Sequence, residues 1–162
     1  MQGTGMRRSS FYHSFSGLDD LALGLLDEFE DVIRNSVEPL LSGDHDADPR
    51  GAMLAGLTSM FEVMHENRVA VVAVGEAVGG SPRVYLEWRT RVLDYFIDRS
   101  AKLIRRHVMR GNSNVEDPER LAEALVLMNY AMFNADIHRE PTDEPREVAR
   151  LAASIWNASF FG

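Results

Sequence analysis

The densest cluster of side chains able to do chemistry is Asp44-His45-Asp46-Ala47-Asp48, whose alternating carboxylates suggest an oxygen cage for calcium. Such a loop needs glycine at its sixth position for the turn and a bidentate glutamate at its twelfth. Pro49 and Ala55 stand there, so the stretch reads as a solvated acidic turn. The five histidines are scattered, with no pair four residues apart on one helix face, which speaks against zinc. Without cysteine there are neither thiolate ligands nor disulfides. The chain carries no nucleophile elbow, phosphate loop or dinucleotide fingerprint. Asn157-Ala158-Ser159 matches a glycosylation sequon, idle in a cytosolic helix. The expectation is a protein that is not an enzyme and holds no metal and no cofactor.

Charge narrows the partners. The formal net charge is -8, the wrong sign for a chain that grips nucleic acid unaided. The basic clusters are Arg7-Arg8 and the run Lys102, Arg105, Arg106, His107, Arg110. That run falls in the last turns of an expected helix, where cations suit the helix dipole. No stretch reaches the roughly 18 apolar residues of a membrane span, and no signal-peptide core is present. The chain reads as cytosolic, with no membrane partner.

One polar residue stands out inside an apolar stretch. In LVLMNYAMF, residues 125–133, Asn129 is the lone amide. A buried amide must be paired, and either a neighbouring group or a ligand carbonyl can do it. Methionines and aromatics at helical spacing are ordinary core, but the same residue types suit a wall that adapts to different ligands.

Stepping along the chain, almost everything reads helical, and the class is all-α. A short helix is expected at 6–14, then longer ones at 18–41, 49–65, 66–77, 82–109, 117–137 and 144–161. RVAVVAV, residues 68–74, is β-branched but has no hairpin partner, so it is assigned to a buried helix. Ser81-Pro82 and Asp117-Pro118 are helix starts, and Gly111 a left-handed cap. The last two helices carry apolar residues on two sides and so need two partners. One is the domain's own core. The other is a second copy of the chain, giving a two-fold four-helix interface. Ala124, Leu127, Ala131 and Ala135 on one helix and Ala152, Ile155 and Ser159 on the other are assigned to that interface.

The opening stretch GMRRSSFYHSFSGLDDLALGLL, residues 5–26, resembles the recognition-helix end of a TetR-family regulator: Ser10, Phe11, Tyr12, His13 and Phe15 occupy matching positions. Two departures weaken the likeness, since the family's phosphate-contacting lysine is Leu18 and one aromatic position is Ser14. The resemblance divides the chain into a remnant of the helix-turn-helix, residues 1–16, and a ligand-binding and dimerisation domain, residues 17–162. Arg7, Arg8, Ser10, Tyr12 and His13 are the remnant's DNA-facing candidates. The chain itself is expected not to bind duplex selectively, because a recognition helix needs its supporting helices. Operator DNA is a partner only for a longer parent protein.

Residues 121–137 and 151–162, and more loosely 84–96, are similar to the ethionamide-activation repressor branch of that family. This likeness implies a narrow apolar tunnel for a small lipophilic ligand, and release of a repressor from DNA when it binds. Met53, Met60 and Met64 are assigned to one wall, Trp88, Val92, Tyr95 and Phe96 to the next, with Trp156 on the last helix. Asn129 matches the branch's ligand-facing amide. Asp98 and Val126 stand where the branch has a second aromatic and a second asparagine. The rival reading is a stand-alone dimerising module that has lost DNA binding and acts on a full-length paralogue.

Overall fold

A computed structural model describes residues 17–139 and 144–161. Among these residues the regular elements are α1 Leu18–Ser42, α2 Pro49–Glu66, α3 Arg68–Gly80, α4 Pro82–Trp88, a π-helical turn Arg89–Leu93, α5 Asp94–Met109, α6 Pro118–Ile137 and α7 Pro145–Phe161. The all-α expectation holds. The expected helix at 6–14, and with it Arg7, Arg8, Ser10, Tyr12 and His13, lies outside the described residues.

Three helices begin with one device. Asp48, Ser81 and Asp117 each accept a hydrogen bond from the backbone N–H three residues on, at 2.9, 3.3 and 3.0 Å. Each is followed by proline, which has no N–H to lose at that position. Gly111, at φ +75°, closes α5: the Asn112 N–H reaches the His107 carbonyl and the Gly111 N–H that of Val108. This is the left-handed cap expected from the sequence.

The same contacts give the acidic turn its purpose. Asp48 caps α2, while Asp44 and Asp46 hold Arg110 at 3.2 and 2.6 Å. The basic run is engaged by its own fold. Lys102 pairs with Asp98 at 2.7 Å, Arg105 with Glu119, and Arg106 donates to the Leu41 carbonyl at 2.6 Å. Among the described residues no helix is long and apolar enough to cross a membrane, and no group of three or more histidines or carboxylates is placed to hold a metal.

Packing follows the stripes. α7 lies along α2, α1 packs on α2 and α3, and α5 packs on α6. At Gly56, α2 approaches α1 so closely that a Cβ would stand 2.6 Å from Leu40. Leu26, Met53, Phe61 and Ile104 are among the most deeply buried side chains of the resulting core.

His107 is buried between the edges of Phe160 and Phe161, with its Nδ1 sealed and unpartnered among the described residues. Burial first, then Arg106 and Arg110, lower its pKa below the usual 6.5. The unfolded chain therefore binds this proton at higher pH than the folded one. Stability contributed by neutral His107 is present above pH ~6.5 and falls as pH drops toward the lowered folded value. Thermal melts from pH 7 to 5 should fall more steeply for the wild-type chain than for His107→Gln; parallel curves would refute this.

Candidate functional site

The helices line a partly open apolar cavity of about 90 Å³. α1 supplies the largest share of the wall, through Phe29, Ile33, Val37, Leu40 and Leu41. These are the inward stripe of a helix whose other face is charged. α2 adds Leu57, Met60 and Met64, and α3 adds Val71, Val74 and Gly75. Trp88, Val92, Leu93 and Phe96 come from α4, the π turn and α5, while Val126, Asn129 and Tyr130 come from α6 and Trp156 from α7. The volume is well below the ~300 Å³ of a small ligand pocket. A ligand of eight or ten heavy atoms must therefore move side chains, and the unbranched Met60 and Met64 are the ones best able to yield.

Asn129 is 7 % exposed, and its Oδ1 accepts from the Trp156 indole N–H at 3.0 Å. An indole N–H can only donate, so the amide oxygen must face it. The amide nitrogen is then left for the cavity, and it has no hydrogen-bond partner among the described residues. Of the two uses foreseen for a buried amide, pairing with a neighbouring group is what the oxygen does. Ser100 also lines the cavity, at 3 % exposure, and its hydroxyl makes no hydrogen bond to a described residue. Tyr130 packs against Trp88 with the rings tilted by 51° and centroids 4.9 Å apart, and burial raises the pKa of its phenol, so it stays a neutral hydroxyl.

Of the residues assigned to the wall, Met60, Met64, Trp88, Val92, Phe96, Asn129 and Trp156 line the cavity. Met53 and Tyr95 do not. Met53 is 1 % exposed inside the core cluster, off the cavity. Tyr95 faces the charged side of α1: the Arg34 guanidinium lies 4.3 Å over its ring, and its hydroxyl donates to Glu38 at 3.3 Å. Sequence reasoning missed Ser100, Tyr130, Gly75 and the α1 stripe as wall residues.

The π turn has two faces. Val92 and Leu93 line the cavity. On the other side Arg91 pairs with Asp27 and Glu30 of α1, which hold its guanidinium firmly protonated, and the Arg91 carbonyl accepts from Arg34 of α1. A wide i→i+5 turn loosens the helical hydrogen-bond ladder, and here an outside donor takes up the carbonyl. Farther along, Arg83–Asp20, at 2.8 Å, and Arg99–Glu38 pin the same two stretches together. The cavity wall and α1 are thus bolted at several points.

The proposed dimer face is divided by burial. Ala124, Leu127, Ala131 and Ala135 of α6 are exposed, as is Ile155 of α7, and Ser159 is half-buried. Ala152 is fully buried by its own chain and must be removed from that face, because its line on α7, with Trp156 and Phe160, points into the core. Leu151, 57 % exposed, stands on the outer line instead.

Comparison with known proteins gives one family match: the C-terminal domain of the transcriptional regulator EthR, over residues 53–162. The HTH-type transcriptional regulator EthR of Mycolicibacterium smegmatis is 28 % identical over 99 % of this chain and 74 % of its own length. The protein of the same description from Mycobacterium tuberculosis is 25 % identical, over 99 % of this chain and 75 % of its own.

Proposed function

From the premise that this chain belongs to the EthR C-terminal-domain family and is the ligand-binding and dimerisation domain of a TetR-like transcriptional regulator, we propose that its cavity seats a small lipophilic ligand that releases a repressor from DNA. Relatives that are transcriptional regulators support a binding role over catalysis and do not favour the stand-alone module. The observation that carries the proposal is the Asn129 amide nitrogen, a donor without a described partner in the wall of a largely apolar cavity. It fits an ester, ketone or amide carbonyl on an apolar chain.

The coupling is a shift between two states. In a longer parent protein the dimer would present two recognition helices about 34–36 Å apart. A ligand that widens the cavity pushes on Val92 and Leu93, and the Arg91 contacts carry that displacement to α1. Only a ligand that binds the wider state better can move the equilibrium.

Gly75 gives the test. A Cβ there would meet nothing nearer than the Tyr130 hydroxyl, at 4.0 Å. Gly75→Leu should therefore fill the cavity. Methyl octanoate should raise the melting temperature of the wild-type chain by binding the folded state and leave Gly75→Leu unmoved. A wild-type melt indifferent to methyl esters of six to ten carbons would refute the ligand seat.

A further inference from the structure

We infer that Ser100 is a second hydrogen-bonding anchor of this cavity, so that the ligands selected by this chain carry a hydroxyl in addition to the carbonyl that Asn129 takes. The inference rests on the cavity being the ligand seat and goes on to name what the ligand must carry.

Ser100 sits on α5, whereas Asn129 sits on α6. Both are more than nine-tenths buried, both line the cavity, and neither the Ser100 hydroxyl nor the Asn129 amide nitrogen has a partner among the described residues. A serine in a helix can satisfy itself by donating to a carbonyl one turn back. Ser36, Ser154 and Ser159 do so, at 2.6, 2.7 and 2.8 Å. Ser100 does not, although it is more deeply buried than any of them. Its hydroxyl is not sealed in the way that His107 Nδ1 and Ser113 Oγ are, which leaves it accessible from the cavity that the residue lines. The space it faces is the cavity, so a group entering the cavity is what can satisfy it.

The chemistry follows from the two groups. The Asn129 nitrogen only donates, so it selects an acceptor. The Ser100 hydroxyl donates and accepts, so it pairs best with another hydroxyl, which can meet it in either sense. The remaining wall is almost wholly aliphatic and aromatic. The ligand class is then a neutral hydroxylated ester, ketone or amide on an alkyl chain. A carboxylate is disfavoured, since no cationic side chain among the described residues lines the cavity.

The test compares methyl octanoate with a set of methyl hydroxyoctanoates in which the hydroxyl is walked along the chain. Affinities are measured by calorimetry on the wild-type chain, on Ser100→Ala and on Asn129→Ala. In each variant the affinity of every hydroxy isomer is read as a ratio to that variant's own affinity for methyl octanoate, and Tyr95→Ala, outside the cavity, is the control expected to keep the wild-type values. At least one positional isomer should bind the wild-type chain about fivefold or more tighter than methyl octanoate, and that gain should vanish in Ser100→Ala. If methyl octanoate binds but no isomer gains, or the gain survives in Ser100→Ala, the role of Ser100 is overturned while the cavity stands. If neither methyl octanoate nor any isomer binds the wild-type chain, the ligand seat itself is refuted and this inference with it.

Discussion

Ala131→Glu is expected to turn a dimer into a monomer without unfolding it. TetR-family regulators act as dimers, and α6 and α7 carry apolar surface that their own chain leaves open. Leu127 is 38 % exposed, Leu151 57 % and Ile155 36 %, and the exposed alanines at 124, 131 and 135 lie along the same side of α6 as Leu127. Small residues let helices approach closely, and an obligate interface of this kind buries at least about 2,000 Å² in total. A glutamate at the centre of that face would be desolvated against a second copy with no cation to meet it. Within one chain the position is open, so the fold should tolerate the change. Light scattering coupled to gel filtration at low micromolar protein should give a dimer mass for the wild-type chain and a monomer mass for the variant. A variant that keeps the dimer mass would place the interface elsewhere.

Asn129→Ala should produce two losses at once. The Trp156 indole N–H, buried and bonded only to the Asn129 oxygen among the described residues, would be left unmatched. That costs about 1–3 kcal/mol, or roughly 2–4 °C of melting temperature per kcal/mol for a domain of this size. Methyl ester affinity should fall in the same variant. Adding Trp156→Phe removes the orphaned donor, so the stability cost of the pair should be less than the sum of the two single changes. Tyr95→Ala is the contrast: its ring lies under Arg34, outside the cavity, so ester affinity should be unchanged. Equal loss of affinity in Tyr95→Ala and Asn129→Ala would mean that the wall is misplaced.

The helices were legible because their punctuation is local. Asp48-Pro49, Ser81-Pro82, Asp117-Pro118 and Gly111 announce themselves through caps and turn chemistry that need no tertiary context. Along α4 and α5 the wall was legible at Trp88, Val92 and Phe96 and went astray at Tyr95. Carried on as a regular α-helix, the stripe through Trp88 and Val92 continues at Tyr95 and Asp98. The π turn at Arg89–Leu93 takes up an extra residue and rotates all that follows, so the stripe resumes at Phe96 and Ser100. No residue type in RTRVL marks such a turn; what accompanies it is the bond between the Arg91 carbonyl and Arg34, 57 positions away. Asn129 was singled out from its apolar surroundings, but its partner, the Trp156 N–H, appears only once α6 and α7 are packed. On α7 two apolar lines run side by side, and only packing against α2 decides that Ala152 lies inside and Leu151 outside.

The chain contains two tryptophans, Trp88 and Trp156, and both line the cavity. All of its indole fluorescence therefore reports on the proposed ligand seat without a label. Titration with methyl ω-bromooctanoate, whose bromine quenches indoles on contact, is the most direct test of the central claim. Entry into the cavity predicts quenching that saturates, that is reversed by methyl octanoate, and that is lost in Gly75→Leu. Quenching that rises linearly without saturation, and equally in the wild-type chain and Gly75→Leu, would contradict it.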